Sequence, residues 1–297
     1  MSIYPLNITI DDDSRLGYET NGPLKRIFNV ILTPVLNNFP PSLRGFIKKT
    51  HHSAKKVIEK ATTHEAIEVL YKNGEPEKAK NILQKFFYYI WFSTDNPKAI
   101  RNRLRLVERE LRNAINENIL EGRDTSILSI ASGSSRAILD SLDGTLAQEK
   151  NVLVTFLDKS GAANKYSKKL TLEKNYPSNY QFRWVKSTAS KFPMYYQGLL
   201  LPNIVEVVGL FDYFKDKGIL KLFSLIYKYL PEDGVFITSN IVDNHERKFV
   251  TDVVGWKMIY RNPEDFYKLA IKAGFNPSKI KFFYEPLKIH FVMVARK

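Results

Sequence analysis

From residue 127 to the end of the chain, short runs rich in β-branched and aromatic residues alternate with stretches of helical spacing. The runs are ILSIASG (127–133), NVLVTFLD (151–158), QFRWVKS (181–187), NIVEVVGLF (203–211) and GVFITSNI (234–241). Between the last two, Leu220, Phe223, Ile226 and Leu230 recur at three- and four-residue steps, the period of one helix face. Strands separated by helices run parallel, because the chain returns to the same edge of a sheet only through a long crossover. The ending breaks this rule. KIKFFYE (279–285) and IHFVMVAR (289–296) are separated only by Pro286, Leu287 and Lys288, too few residues for a crossover, so these strands pair antiparallel. The expected architecture is α/β: a doubly wound, mostly parallel seven-stranded sheet with a reversed C-terminal hairpin strand, preceded by an N-terminal helical segment.

Residues 1–95 show no strand alternation. Segments 23–39 and 43–60 read as helical pieces broken by Pro34, Pro40 and Pro41, and 61–92 as two helices joined at Asn73-Gly74. A further helix opens after Pro97, with Ile100, Leu104, Val107, Leu111 and Ile115 forming one apolar stripe. The division expected is a helical N-terminal lid domain at 1–95 and a Rossmann-like domain at 96–297.

Cysteine is absent from the 297 residues, which removes disulfides, Cys-ligated zinc and every thiolate nucleophile. No His-x-Glu-x-x-His spacing occurs and no metal is expected. The net charge of +14 invites a polyanionic partner, but residues 1–126 carry +5 and residues 127–297 carry +9, so the excess is spread and not gathered in an arm. No apolar run is long enough to span a bilayer, and the start lacks a secretory pattern, so a cytoplasmic protein is expected.

In a doubly wound sheet, ligands bind beyond the carboxyl ends of the strands, where strand order reverses. After the first strand come Ala131, Ser132, Gly133, Ser134 and Ser135, whose small side chains let a ligand approach the backbone. Asp158 ends the second strand, placed to accept hydrogen bonds from ribose hydroxyls. A nucleoside-type ligand is expected, and NAD fits such a turn as well as other nucleosides do.

These residues carry a resemblance. Residues 127–297 resemble a class I S-adenosylmethionine-dependent methyltransferase, and 99–119 resemble the helix before its first strand. The family's first motif is an acid followed by Gly-x-Gly-x-Gly; here the acid position reads Ser129 and the glycine positions read Ala131, Gly133 and Ser135. VEVVGLFDYF (205–214) is similar to the fourth-strand motif, LPEDGVFITSN (230–240) to the passage into the fifth strand, and RNPEDFYKLAIKAGF (261–275) to the helix leading into the sixth. The terminal hairpin is similar to the family's reversed seventh strand, and with the Ala-Gly-Phe passage it favours the methyl donor over NAD.

The resemblance implies S-adenosylmethionine as cofactor. Ala131 to Ser135 would line its methionine end, Asp158 would hold the ribose with Lys159 beside the adenine, and Ser187 and Thr188 would flank the adenine amino group. Gly209, Leu210, Phe211 and Tyr213 would form the wall beneath the sulfonium, and Arg101 or Arg103 could reach the carboxylate. Asp212 and Tyr213 are candidates to orient a hydroxyl or amine acceptor, His245 is the candidate general base, and His290 reads as structural. The reading is methyl transfer to an oxygen or nitrogen of a small molecule, in a pocket covered by the N-terminal helices. The alternatives are an RNA methyltransferase using the basic surface and a non-catalytic cofactor-binding regulator.

Overall fold

The computed structural model describes residues 6–143, 145, 150–196 and 200–297. In chain order its elements are β1 (Ile8–Ile10), α1 (Pro23–Asn37), α2 (Arg44–Thr50), α3 (His52–Glu59), α4 (His64–Tyr71), α5 (Ile82–Phe92) and α6 (Asp95–Leu120). Then follow β2 (Thr125–Ile130), α7 (Arg136–Leu142), β3 (Val152–Asp158), α8 (Gly161–Leu172), β4 (Tyr180–Lys186) and β5 (Ile204–Val207). The chain ends with α9 (Asp216–Tyr229), β6 (Val235–Ile241), α10 (Pro263–Ala273), β7 (Ile280–Tyr284) and β8 (His290–Arg296).

The strands form one sheet in the order β1-β7-β8-β6-β5-β2-β3-β4. All neighbours are parallel except β8, which runs antiparallel to both β6 and β7. The seven runs read from the sequence all become strands. The eighth, β1, was not expected; its three residues lie parallel to β7, with Ile8 opposite Phe282. From β2 the chain builds outward through β3 and β4, then crosses back to place β5 on the other side of β2. The reversal therefore lies between β2 and β5, where Ser129 and Glu206 are register partners.

The stripe of α6 packs on this sheet: Val107, Leu111 and Ile115 are fully buried with Ile127, Val154 and Ile204 of the strands. Each such side chain contributes roughly 1.5–3 kcal/mol. The other face is covered by α9 and α10 through an aromatic cluster in which Phe211, Phe223, Phe236 and Phe266 meet edge to face. Such pairs add about 0.5–1.5 kcal/mol beyond area burial.

The N-terminal helices are built differently. Pro34 does not break α1; it sits in the last turn, where only the carbonyl one turn back loses a donor. Asn73 and Gly74 both take positive φ, closing α4 where the dipeptide predicted. The buried residues of α2 to α5 have no core of their own: Ile47, Val57, Val69 and Phe92 share one cluster with Phe249, Val253 and Trp256, from the segment after β6. That segment contains a π-helical turn, Phe249–Val254.

Candidate active site

Three positions of the β2–α7 turn have the same backbone feature. Ala131, Gly133 and Ser135 have φ of 56°, 55° and 61°, so all three glycine positions of the expected motif adopt the left-handed conformation. An alanine or serine there costs on the order of 1 kcal/mol relative to glycine. The turn is held by Asp158, whose Oδ2 accepts from the Gly133 N–H at 3.0 Å and whose Oδ1 accepts from the Ser160 N–H at 2.7 Å.

The acid missing at Ser129 is supplied from the neighbouring strand. Ser129 Oγ donates to Glu206 Oε2 at 2.5 Å, across the point where strand order reverses. Burial pushes the Glu206 carboxyl up to about 7, against the opposing pull of the Ser129 hydroxyl and the Arg103 guanidinium. Sequence reasoning passed over Glu206, although a carboxylate in the middle of an otherwise apolar strand was the available signal.

The turn, the strand ends and the N-terminal helices enclose a cavity of about 600 Å³. Ala131 to Ser135, Asp158, Lys159, Ser187, Thr188, Gly209, Leu210, Arg103, Asp212 and Tyr213 all line it. Four expectations are not met. Phe211 is fully buried in the aromatic cluster, because the short turn after β5 points it into the sheet. Arg101 pairs with Glu19 at 2.6 Å and donates to the carbonyls of Leu70 and Phe92, which fastens N-terminal segments, and it does not line the cavity.

His245 is the third. It lies in a shallow outer groove, half-exposed, with Nε2 3.1 Å from Asp95 Oδ2. Asp95, His245 and Glu246 bring ligand-type atoms within 4.8 Å of one another, but their contacts are those of a helix cap. The carboxylate of Glu246 accepts from the Asp95 and Asn96 N–H groups at 2.8 Å each, satisfying the open start of α6. Asp95 Oδ1 accepts from the side chains of Asn21 and Asn29.

His290, expected to be structural, lines the cavity instead. Burial, with the nearby Arg103 charge, pushes its imidazole well below its ordinary range, against the opposing pull of a hydrogen bond to the Asn240 backbone. Arg103 lies 4.0 Å from Asp212 Oδ2 and its Nε is unpartnered. Burial pushes the Asp212 carboxyl up, and its Oδ1 accepts from the Ile241 N–H at 3.1 Å. Tyr213 faces the cavity with its hydroxyl accepting from Trp256 Nε1 at 2.6 Å.

The N-terminal helices close the cavity over the turn. The Cβ of His64 lies 3.7 Å from the position a Cβ on Gly133 would take. Glu68 of α4 accepts from Arg136 Nε and Nη2 at 3.0 and 2.8 Å and from the Tyr166 hydroxyl at 2.9 Å, linking the cap to α7 and α8. Val57, Ile67, Trp91 and Phe92, packed with Val254, Trp256 and Met258, add an apolar wall.

A family model described as "Putative methyltransferase" matches residues 62–297. No curated protein matches the chain. Among solved structures, a possible exported protein from Bordetella parapertussis is similar over 80% of each chain, with a TM-score of 0.60 and 16% identity. The DszA carbon methyltransferase is similar over 67% of this chain and 55% of its own, with a TM-score of 0.53 and 14% identity. The CurJ carbon methyltransferase is similar over 82% and 66%, with a TM-score of 0.53 and 12% identity. At these identities the likeness is one of fold. The chain belongs to this methyltransferase family, and its fold is that of the class I S-adenosylmethionine-dependent enzymes.

Proposed function

We propose that the protein transfers the methyl group of S-adenosylmethionine to an oxygen or nitrogen of a small, largely apolar molecule held beneath the N-terminal helices. The observation that carries this reading is the single cavity that joins the left-handed turn and Asp158 to the apolar wall of the cap. The residues fit the cofactor. Ser132 Oγ, Ser135 Oγ and Arg103 Nε are buried against the cavity with no partner, an arrangement that is costly unless a polar ligand completes it.

In this reading Ala131 to Ser135 and Arg103 hold the amino-acid end, and Asp158 turns its carboxylate to the ribose hydroxyls. Lys159, Ser187 and Thr188 border the adenine, and Gly209 and Leu210 lie beneath the sulfonium. The bound cofactor supplies an electrophilic methyl carbon, and the chain contributes alignment and exclusion of water. Tyr213 and Asp212 orient the acceptor, and His290, whose cationic form burial and Arg103 disfavour, borders it as a neutral hydrogen-bonding group. The cap serves as a lid, and the site of action is the cytoplasm.

The test is incubation of the protein with tritiated donor and fractionated cell extract. Label is expected in a non-polar small-molecule fraction and is expected to survive RNase treatment. Label confined to an RNase-sensitive fraction would replace this reading with the RNA alternative, and donor binding without label in any fraction would leave a non-catalytic binder.

A further inference from the structure

Helix α1 sits on the protein inside out. Its buried residues are polar, Asn29 and Thr33, while Leu24, Ile27, Phe28, Ile31 and Val35 form an exposed apolar stripe at helical spacing. Leu24 is 84% exposed and Ile31 66%. The inward side is fixed by hydrogen bonds, Asn29 Nδ2 to Asp95 Oδ1 at 2.9 Å and Asn37 Oδ1 from the Phe249 N–H at 3.0 Å. Those bonds hold the apolar side outward.

Helix α5, whose Trp91 ring packs on Phe249 of the turn that α1 also touches, is apolar on both its buried and its exposed sides. It buries Tyr88 and Phe92 and exposes Ile82, Leu83, Phe86 and Tyr89. Phe46 of α2, also exposed, lies edge-on to Phe87 of α5. So large an exposed apolar area on a water-soluble surface calls for a partner.

The charges around it choose which. Residues 22–58 contain seven Lys or Arg and no Asp or Glu, with Glu59 just beyond them paired to Lys48, and residues 79–94 contain Lys80 and Lys85 and no acid, with Glu75 and Glu77 just before them. Lys25 places its ammonium 4.7 Å above the Phe28 ring of that stripe. Among the described residues no helix is long and apolar enough to cross a membrane, so the face is suited to lying on a surface. Two copies of this chain meeting there would bring like charges together, whereas an anionic bilayer supplies both the apolar depth and the opposite sign.

We propose that α1 and α5 form a docking face for an anionic lipid membrane, with Leu24, Ile27, Ile31 and Phe86 entering the interface and Lys25, Lys49 and Lys85 meeting the headgroups. The proposal stands independently of methyl transfer. It gives the cavity a source of apolar molecules, because Trp91 and Phe92 on the inner side of α5 line that cavity.

The experiment is co-sedimentation of the full chain with phosphatidylcholine vesicles, with and without phosphatidylserine, at low and high salt, and without methyl donor. Wild-type protein is expected to pellet with the phosphatidylserine vesicles and to be released as salt rises. The triple variants I27S/I31S/F86S and K25E/K49E/K85E are each expected to lose roughly tenfold or more of that binding. Thermal melts of both variants are expected to match wild type, because the apolar set is exposed and the three lysines are not buried. Failure of the wild type to pellet, or undiminished pelleting of either variant, overturns the proposal. A dimer seen by sedimentation velocity, abolished by I27S/I31S/F86S and accompanied by no vesicle binding, would assign the face to a second copy instead.

Discussion

The sheet and the N-terminal cap meet at one cavity but are held together in opposite ways. The sheet is dry: β2, β3, β5 and β6 are buried along nearly their whole length, between two apolar clusters. The cap has no separate core. Its apolar residues complete a cluster with Phe249 to Trp256, and its place is set by polar links such as Glu68 to Arg136, Asn29 to Asp95, and Arg44 to the Val253 carbonyl. A part fastened by polar links and a shared aromatic cluster opens at lower cost than a part fastened by a continuous core. This is the difference expected between a scaffold and a lid.

The largest effect should come from removing one side of the comparison. A chain beginning at Thr94 keeps the turn, Asp158 and Arg103 but loses the wall made by Val57, Ile67 and Trp91. It is expected to retain measurable donor binding and to lose product formation by roughly a thousandfold or more, since alignment and water exclusion contribute several kcal/mol. Single-turnover assays on both chains check this. Full activity in the shortened chain would show that the cap is not a lid.

The contrast also explains what was legible in advance. The seven long strands were visible because each is a run of β-formers separated by helical spacing, information held within about 30 residues. Strand β1 was not visible, because ITI is too short for a period and its partner is some 270 residues away, between Ile8 and Phe282. The turn residues could be assigned from their small size, but the use of Glu206 in place of an acid at Ser129 depends on which strand lies beside β2. His245 and Phe211 were misplaced for a related reason: proximity in sequence to a strand end does not fix which way a side chain points. His290 reads as structural in the sequence because one polar residue at the start of an apolar strand gives no sign of facing a cavity.

A sharper probe of the dry side is Glu206. Its carboxyl titrates near 7 in the folded protein against an ordinary value of 4.5, so folding is favoured most below about pH 4.5 and that contribution is lost as pH rises to about 7. The Glu206→Gln variant should flatten this part of the stability profile, by on the order of 3 kcal/mol at neutral pH. Glu108, raised to about 7 by burial, leaves a residual slope in the same window. Denaturant unfolding at a series of pH values measures it, and an unchanged slope would show that the Ser129–Glu206 pair carries no such penalty.

The smallest expected effect lies in the turn itself. Ala131→Gly and Ser135→Gly should each raise unfolding free energy by about 1 kcal/mol or less, because glycine meets no Cβ penalty at positive φ. Thermal melts read this directly. Destabilisation by both would mean that the side chains earn their place through contacts that outweigh the backbone strain.

The central claim is that the left-handed turn and Asp158 hold a methyl donor beneath the cap, and calorimetric titration of the full chain with S-adenosylmethionine tests it most directly. Wild-type protein is expected to bind in the micromolar range, roughly −8 kcal/mol. Asp158→Ala is expected to weaken binding by about 1.5–3 kcal/mol through loss of a charged acceptor. Gly133→Val is expected to abolish it, since a branched side chain at φ of 55° strains the turn and fills the backbone approach. Absence of binding by the wild type, or unchanged affinity in Gly133→Val, would contradict the account.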